Sequence, residues 1–104
     1  MNQKPTTDRT EIVRIFKPFD PEKIILFGSR ARGHEDEESD IDLIVVYNTT
    51  KAFLDRLKEL YAAWNISRAV DILAYTPEEF NRMMKESFFI QQATSSGEIL
   101  YERG

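Results

Sequence analysis

A chain of 104 residues with 41% hydrophobic and 12% aromatic side chains has the material for one globular core and one domain, 1–104. It contains no cysteine, which excludes disulfides, thiolate metal sites and cysteine nucleophiles together. Eighteen acidic against fourteen basic residues give a net charge of −4, which argues against direct nucleic-acid binding through a cationic surface. The deficit is local. Residues 34–42 hold six carboxylates (Glu35, Asp36, Glu37, Glu38, Asp40 and Asp42) and no Lys or Arg, whereas the remainder of the chain carries twelve acids against fourteen bases. Apolar stretches such as 43–47 are far too short to span a bilayer, and Met1–Pro5 lacks the apolar core of a signal peptide. A soluble, cytoplasmic protein without membrane contact is expected.

In chain order, Asp8 with Glu11 three residues later makes a capping-box-like start for a helix bearing Ile12, Ile15, Phe16 and Phe19, ended by Pro18 and Pro21. The run 23–27 reads as a strand stopped by Gly28-Ser29, and 29–33 has room for one helical turn. A second strand is expected over 41–47. Asn48, Thr49 and Thr50 then offer N-caps for an amphipathic helix with Phe53, Leu54, Leu57, Leu60, Tyr61 and Trp64 on its apolar stripe. The run 68–75 reads as a third strand. Thr76-Pro77-Glu78-Glu79 has Thr at N-cap, Pro at N1 and Glu at N3, a strong start for a helix through Phe80, Met83 and Met84. A short helix over 88–94, a break at Gly97 and an edge strand over 98–101 complete the pattern. The class is therefore α+β (an α/β two-layer packing), a small mixed sheet of about four strands with helices mainly on one face.

One spaced constellation carries chemistry. A strand ends in Gly28-Ser29, ten residues intervene, Asp40-Ile41-Asp42 opens the next strand, and Asp71 lies in the third. Residues i and i+2 of a strand share a face, so Asp40 and Asp42 are expected side by side, where two carboxylates repel unless a cation or proton sits between them. Mg²⁺ takes oxygen ligands and is typically held by one or two carboxylates plus substrate phosphates. With Asp71 adjoining, three carboxylates suit phosphoryl or nucleotidyl transfer on one or two metal ions, Asp71 orienting or deprotonating the incoming hydroxyl. Gly28 permits close backbone approach, Ser29 and the amides beyond it donate to phosphate oxygens, and Arg30 and Arg32 are placed to neutralise a triphosphate.

Gly28-Ser29-x10-Asp40-x-Asp42 resembles the signature of the DNA polymerase β-like nucleotidyltransferase superfamily. Residues 27–33 with 39–45, and the ending Gly97-Glu98-Ile99-Leu100-Tyr101-Glu102, resemble its minimal nucleotidyltransferase (MNT) branch. The resemblance implies the nucleotidyltransferase fold and an antitoxin paired with a HEPN-domain RNase toxin in a hetero-oligomer. It also implies Mg²⁺-dependent transfer of AMP from ATP to a tyrosine of that toxin. Gly28 and Ser29 then map to the triphosphate turn, Asp40 and Asp42 to the metal-binding catalytic pair, and Asp71 to the third carboxylate. Arg30 and Arg32 are secondary nucleotide contacts.

Two other functions compete. One is transfer to a small-molecule hydroxyl, although the related antibiotic-modifying enzymes carry a further helical domain. The other is an antitoxin that neutralises by docking alone, against which the intact set of aspartates argues. The remaining candidates read as structure: Glu35 to Glu38 as a solvated loop face, His34 without a role, Met83, Met84 and Trp64 as core. Phe88, Phe89 and Ile90 form a run too apolar for an exposed loop, expected in the core or a protein interface.

Overall fold

A computed structural model of the chain describes residues 4–28 and 40–103, with side chains from Arg9 onward. Strands β1 (Lys23–Phe27), β2 (Ile41–Val46), β3 (Val70–Tyr75) and β4 (Glu98–Glu102) form one mixed sheet in the order β3-β2-β1-β4. β1 is antiparallel to both β2 and β4; β2 and β3 are parallel. A parallel pair requires a crossover, and helix α2 (Phe53–Ala63) supplies it. Of the residues of β2, only Asp42 is not buried.

Alternate strand residues feed two cores. Ile24, Leu26, Leu43, Val45, Ile72 and Ala74 pack against Leu60 of α2 and against Ile12 and Phe16 of α1 (Lys4–Phe16). Ile25, Ile44 and Val46 pack against Phe80 of α3 (Pro77–Glu86) and Ile90 and Ala93 of α4 (Phe88–Ser96). The α+β class and the four-stranded mixed sheet agree with the sequence reading. The helices, however, divide two and two between the faces instead of gathering mainly on one. The reason lies in β1 and β2, which are apolar on both faces and so need cover on both. Each fully buried Ile, Leu or Phe contributes about 1.5–3 kcal/mol from apolar burial.

Several boundaries differ from expectation. α1 begins at Lys4, one turn ahead of Asp8, and passes into a 3₁₀ turn, Lys17–Phe19, that contains Pro18. α2 starts after Ala52 without a side-chain cap; Thr49 instead accepts the Lys51 N–H at 3.1 Å. The start of α3 is as read, with Thr76 accepting from Glu79 N–H at 3.2 Å and the Glu79 carboxylate accepting the Thr76 N–H at 3.0 Å. At the end of α4, a Cβ on Gly97 would lie 2.5 Å from the Ala93 carbonyl oxygen and 2.7 Å from that of Leu26. Only glycine lets the chain turn there into β4. Trp64 stacks on Phe16 with ring centres 6.2 Å apart, and its Nε1–H donates to the Arg68 carbonyl. Met83 and Met84 pack against the second core, as expected.

The stripe of α2 is narrower than its sequence suggests: Phe53, Leu54 and Tyr61 are exposed, while Arg56 is buried. Its guanidinium donates to the Lys51 and Ala74 carbonyls and to both carboxylate oxygens of Glu79, at 2.7 and 3.1 Å. Because α2 and α3 lie on opposite faces, this pair ties the two helical layers together around the edge strand β3. The Arg56 hydrogen bonds are the largest influence on Glu79 and hold its carboxyl below the ordinary 4.5. A carboxyl depressed in the folded state adds stability above its unfolded value and loses it as pH falls through the folded one.

Glu79→Gln keeps a capping acceptor but leaves Arg56 buried without its counter-charge. It is expected to lower the unfolding free energy at pH 7 by about 2–3 kcal/mol in urea titrations. The same variant should lose less stability than the wild type as pH falls below 4.5.

Candidate active site

The pairing registers bring the sequence candidates together. In the antiparallel pair β1–β2, Phe27 lies opposite Asp42; in the parallel pair β2–β3, Asp42 lies opposite Asp71. The alternation of core residues puts all three side chains on the face shared with α3 and α4, at the end of the sheet where β2 begins. Asp42 is half-buried, whereas Asp71 and Asp40 are exposed. Asp40 precedes the first residue of β2, so it flanks the strand and does not pair within it.

Gly28 follows β1 with φ = +83°, a left-handed conformation that glycine adopts without steric cost. A Cβ there would collide with Asp42 Oδ2 and lie 3.3 Å from Asp42 Cγ. The glycine thus leaves the space that the Asp42 carboxylate fills. Ser29, Arg30 and Arg32, along with His34 and Glu35 to Glu38, lie outside the described residues.

Burial is the main influence raising the Asp42 carboxyl above 3.8, followed by the negative charges of Asp71 and Asp40 and a hydrogen-bonding contact with Asp71. A half-buried carboxylate beside two like charges is held at an electrostatic disadvantage that a cation relieves. Among the described residues, no group of three or more His, Asp or Glu side chains is drawn together to hold a metal ion by itself. The all-oxygen donor set of Asp42 and Asp71 nevertheless fits Mg²⁺, which takes one or two carboxylates and completes its shell with water and phosphate.

Sequence reasoning did not find the aromatic neighbour of this site. Phe89 at the start of α4 meets Phe27 edge-on, ring centres 5.8 Å apart at 85°. The run 88–90 is split: Ile90 is fully buried in the second core, while Phe88 and Phe89 are 72% and 56% exposed. Only the helical phase of α4, set by Ser87 accepting the Ile90 N–H, decides which of the three turns inward.

Residues 10–104 match the family described as Polymerase beta, Nucleotidyltransferase. The chain belongs to the polymerase beta nucleotidyltransferase family. A Methanocaldococcus jannaschii relative named as a protein adenylyltransferase is 33% identical over 88 residues, covering 75% of this chain and 88% of that protein. A Haemophilus influenzae relative named as protein adenylyltransferase MntA is 34% identical over 70 residues, 64% of this chain and 61% of the other. Among solved structures, a toxin–antitoxin complex with AMP-PNP has a chain of the same fold. It has TM-score 0.63 and 22% identity, with 92% of this chain and 74% of that chain covered. The MNT antitoxin complex of the tri-AMPylated Shewanella oneidensis HEPN toxin gives TM-score 0.58 at 20% identity, covering 95% and 73%. The nucleotidyltransferase fold and enzyme class are therefore those of this chain. No described helix is long and apolar enough to cross a membrane.

The raised Asp42 carboxyl has a sign that can be tested. The native state binds that proton more tightly than the unfolded chain, so the ionised group opposes folding at pH values above its raised native value. Asp42→Asn is expected to raise the melting temperature in metal-free buffer at pH 7 by roughly 1–4 °C, after allowance for solvent screening. The gain should shrink when Mg²⁺ and ATP are added, since only the wild type keeps the ligand.

Proposed function

We propose that the chain, as a single minimal nucleotidyltransferase domain over 1–104, is an adenylyltransferase antitoxin. It transfers AMP from ATP to a tyrosine of a cognate HEPN-domain toxin, with which it forms a hetero-oligomer in the cytoplasm. The observation that carries this reading is the shared register of Asp42 and Asp71 on one face, with Gly28 against Asp42. Supporting it are the family membership, the relatives named as protein adenylyltransferases, and a fold shared with an MNT antitoxin in complex with an AMPylated HEPN toxin.

In this reading the tyrosine hydroxyl oxygen bonds to the α-phosphorus of ATP as the bond from that phosphorus to the bridging oxygen breaks. Diphosphate leaves and AMP remains on the tyrosine. Asp71, exposed at the edge strand, accepts the hydroxyl proton. Gly28 and Ser29 hold the triphosphate from the backbone side, and Arg30 and Arg32 offset its charge. Asp40 and Asp42, with Asp71, would hold one or two Mg²⁺ ions. Bound there, they would supply charge stabilisation to the reacting oxygens. The half-buried position of Asp42 keeps its carboxylate oriented, while the exposure of Asp40 and Asp71 leaves the face open to nucleotide and acceptor.

Incubation of the protein with its cognate toxin, ATP and Mg²⁺ is expected to add AMP-sized masses to the toxin in intact mass spectrometry. Asp42→Asn should abolish the additions, and Asp71→Asn should slow them by about 10²–10⁴-fold, the range for loss of a general base. A wild type that blocks toxicity while every toxin mass stays unchanged would establish neutralisation by docking alone.

A further inference from the structure

A small cleft of about 240 Å³ adjoins the carboxylates, lined by Phe27, Gly28, Phe89, Gln92, Ala93 and Ser96. Gly28 is a wall common to both, because the position of its missing Cβ is the space occupied by the Asp42 carboxylate. Phe27 is likewise shared, standing opposite Asp42 in the sheet and touching Phe89 at its edge. The cleft therefore shares a wall with the carboxylate face. It is smaller than the roughly 300–1,000 Å³ that encloses a whole drug-sized ligand, a size suited to one planar ring system.

Its lining has two kinds of chemistry. Phe89 leaves more than half of its surface open although it is anchored against Phe27. Gln92 offers a carboxamide with no partner among the described residues, while its main-chain carbonyl accepts the Ser96 hydroxyl at 2.7 Å. The neighbouring glutamine is used differently: the Gln91 side chain donates to the Met84 carbonyl at 2.9 Å and helps join α4 to α3. Of two adjacent glutamines, one is bound into the fold and the other is left beside an open aromatic ring.

Resting on the nucleotidyltransferase reading above, we propose that this cleft receives the nucleobase of the nucleotide substrate, with Phe89 as the stacking surface and Gln92 as the reader of adenine. A base presents a flat π-face to any aromatic side chain. A glutamine carboxamide, with one donor and one acceptor side by side, matches the N6 amine and N7 of adenine and mismatches the O6 and N7 acceptors of guanine. An exposed phenylalanine alone would serve a protein partner as well. The concavity, the unpartnered carboxamide and the wall shared with Asp42 favour a base. Phe88, still more exposed, does not line the cleft and has no part in the assignment.

Isothermal titration of the full chain with Mg²⁺ and ATP, GTP or inorganic tripolyphosphate tests this. Phe89→Ala is expected to weaken ATP about tenfold or more, the loss of one stacked base, and to leave tripolyphosphate unchanged. Phe89→Trp should retain ATP affinity. Gln92→Ala should narrow the preference for ATP over GTP. Unchanged ATP affinity in Phe89→Ala overturns the assignment, as does an equal loss for ATP and tripolyphosphate. Weakened toxin capture with ATP affinity intact overturns it in favour of a protein-docking role. In all three cases a wild type that binds ATP leaves the nucleotidyltransferase reading standing. A wild type that binds neither ATP nor tripolyphosphate would remove that reading and the base site with it.

Discussion

The register of β2 is the constraint on which both the fold and its chemistry depend. This central strand is hydrogen-bonded on both sides, to β1 in one direction and to β3 in the other, and its residues alternate between two cores. Ile41, Leu43 and Val45 face α1 and α2; Ile44 and Val46 face α3 and α4. A one-residue slip would exchange the two sets and carry Asp42 into the interior of the other layer. The same apolar packing that stabilises the sheet therefore holds the carboxylate beside Asp71 and against Gly28. The position of the candidate catalytic group is a by-product of where its five apolar neighbours in β2 must go.

What the sequence made legible follows from how local each signal is. The strand 23–27, the Thr76 capping box and the edge position of β4 rest on residues that interact with near neighbours, and each is observed as read. Asp40 and Asp42 are readable from residue type and spacing, because a strand's period of two makes faces countable without coordinates, whereas the meeting of Asp42 with Asp71 depends on the β2–β3 register, which spacing within one strand does not give. The distribution of helices between faces is not readable either, since the apolar runs of β1 and β2 do not announce which helix covers which side. Arg56 was equally hidden: within an amphipathic pattern it reads as a solvated residue, and only its distant partner Glu79 makes its burial tolerable. The fates of Phe88, Phe89 and Ile90 depend on the rotation of a single short helix, a quantity that three consecutive apolar letters do not encode.

Two carboxylates at opposite ends of the sheet show how the molecule separates stability from chemistry. Glu79 sits where β3 ends and receives two donors from Arg56 and one from the Thr76 backbone, so its charged form is favoured. Asp42 sits where β2 begins, and there burial and the neighbouring Asp71 and Asp40 disfavour its charged form. If the fold needed Asp42 only as a structural acid, a cation of the chain's own beside it would serve, as Arg56 serves Glu79. The described residues instead surround it with like charge. A half-buried carboxyl whose charged form is disfavoured, with a specific partner on an open face, is a mark of a functional site, because the missing compensation is left for a ligand to supply. The six-carboxylate window that concentrates the chain's acidity ends at this residue. The last of those six carboxylates is the one whose charged form burial, Asp71 and Asp40 together disfavour.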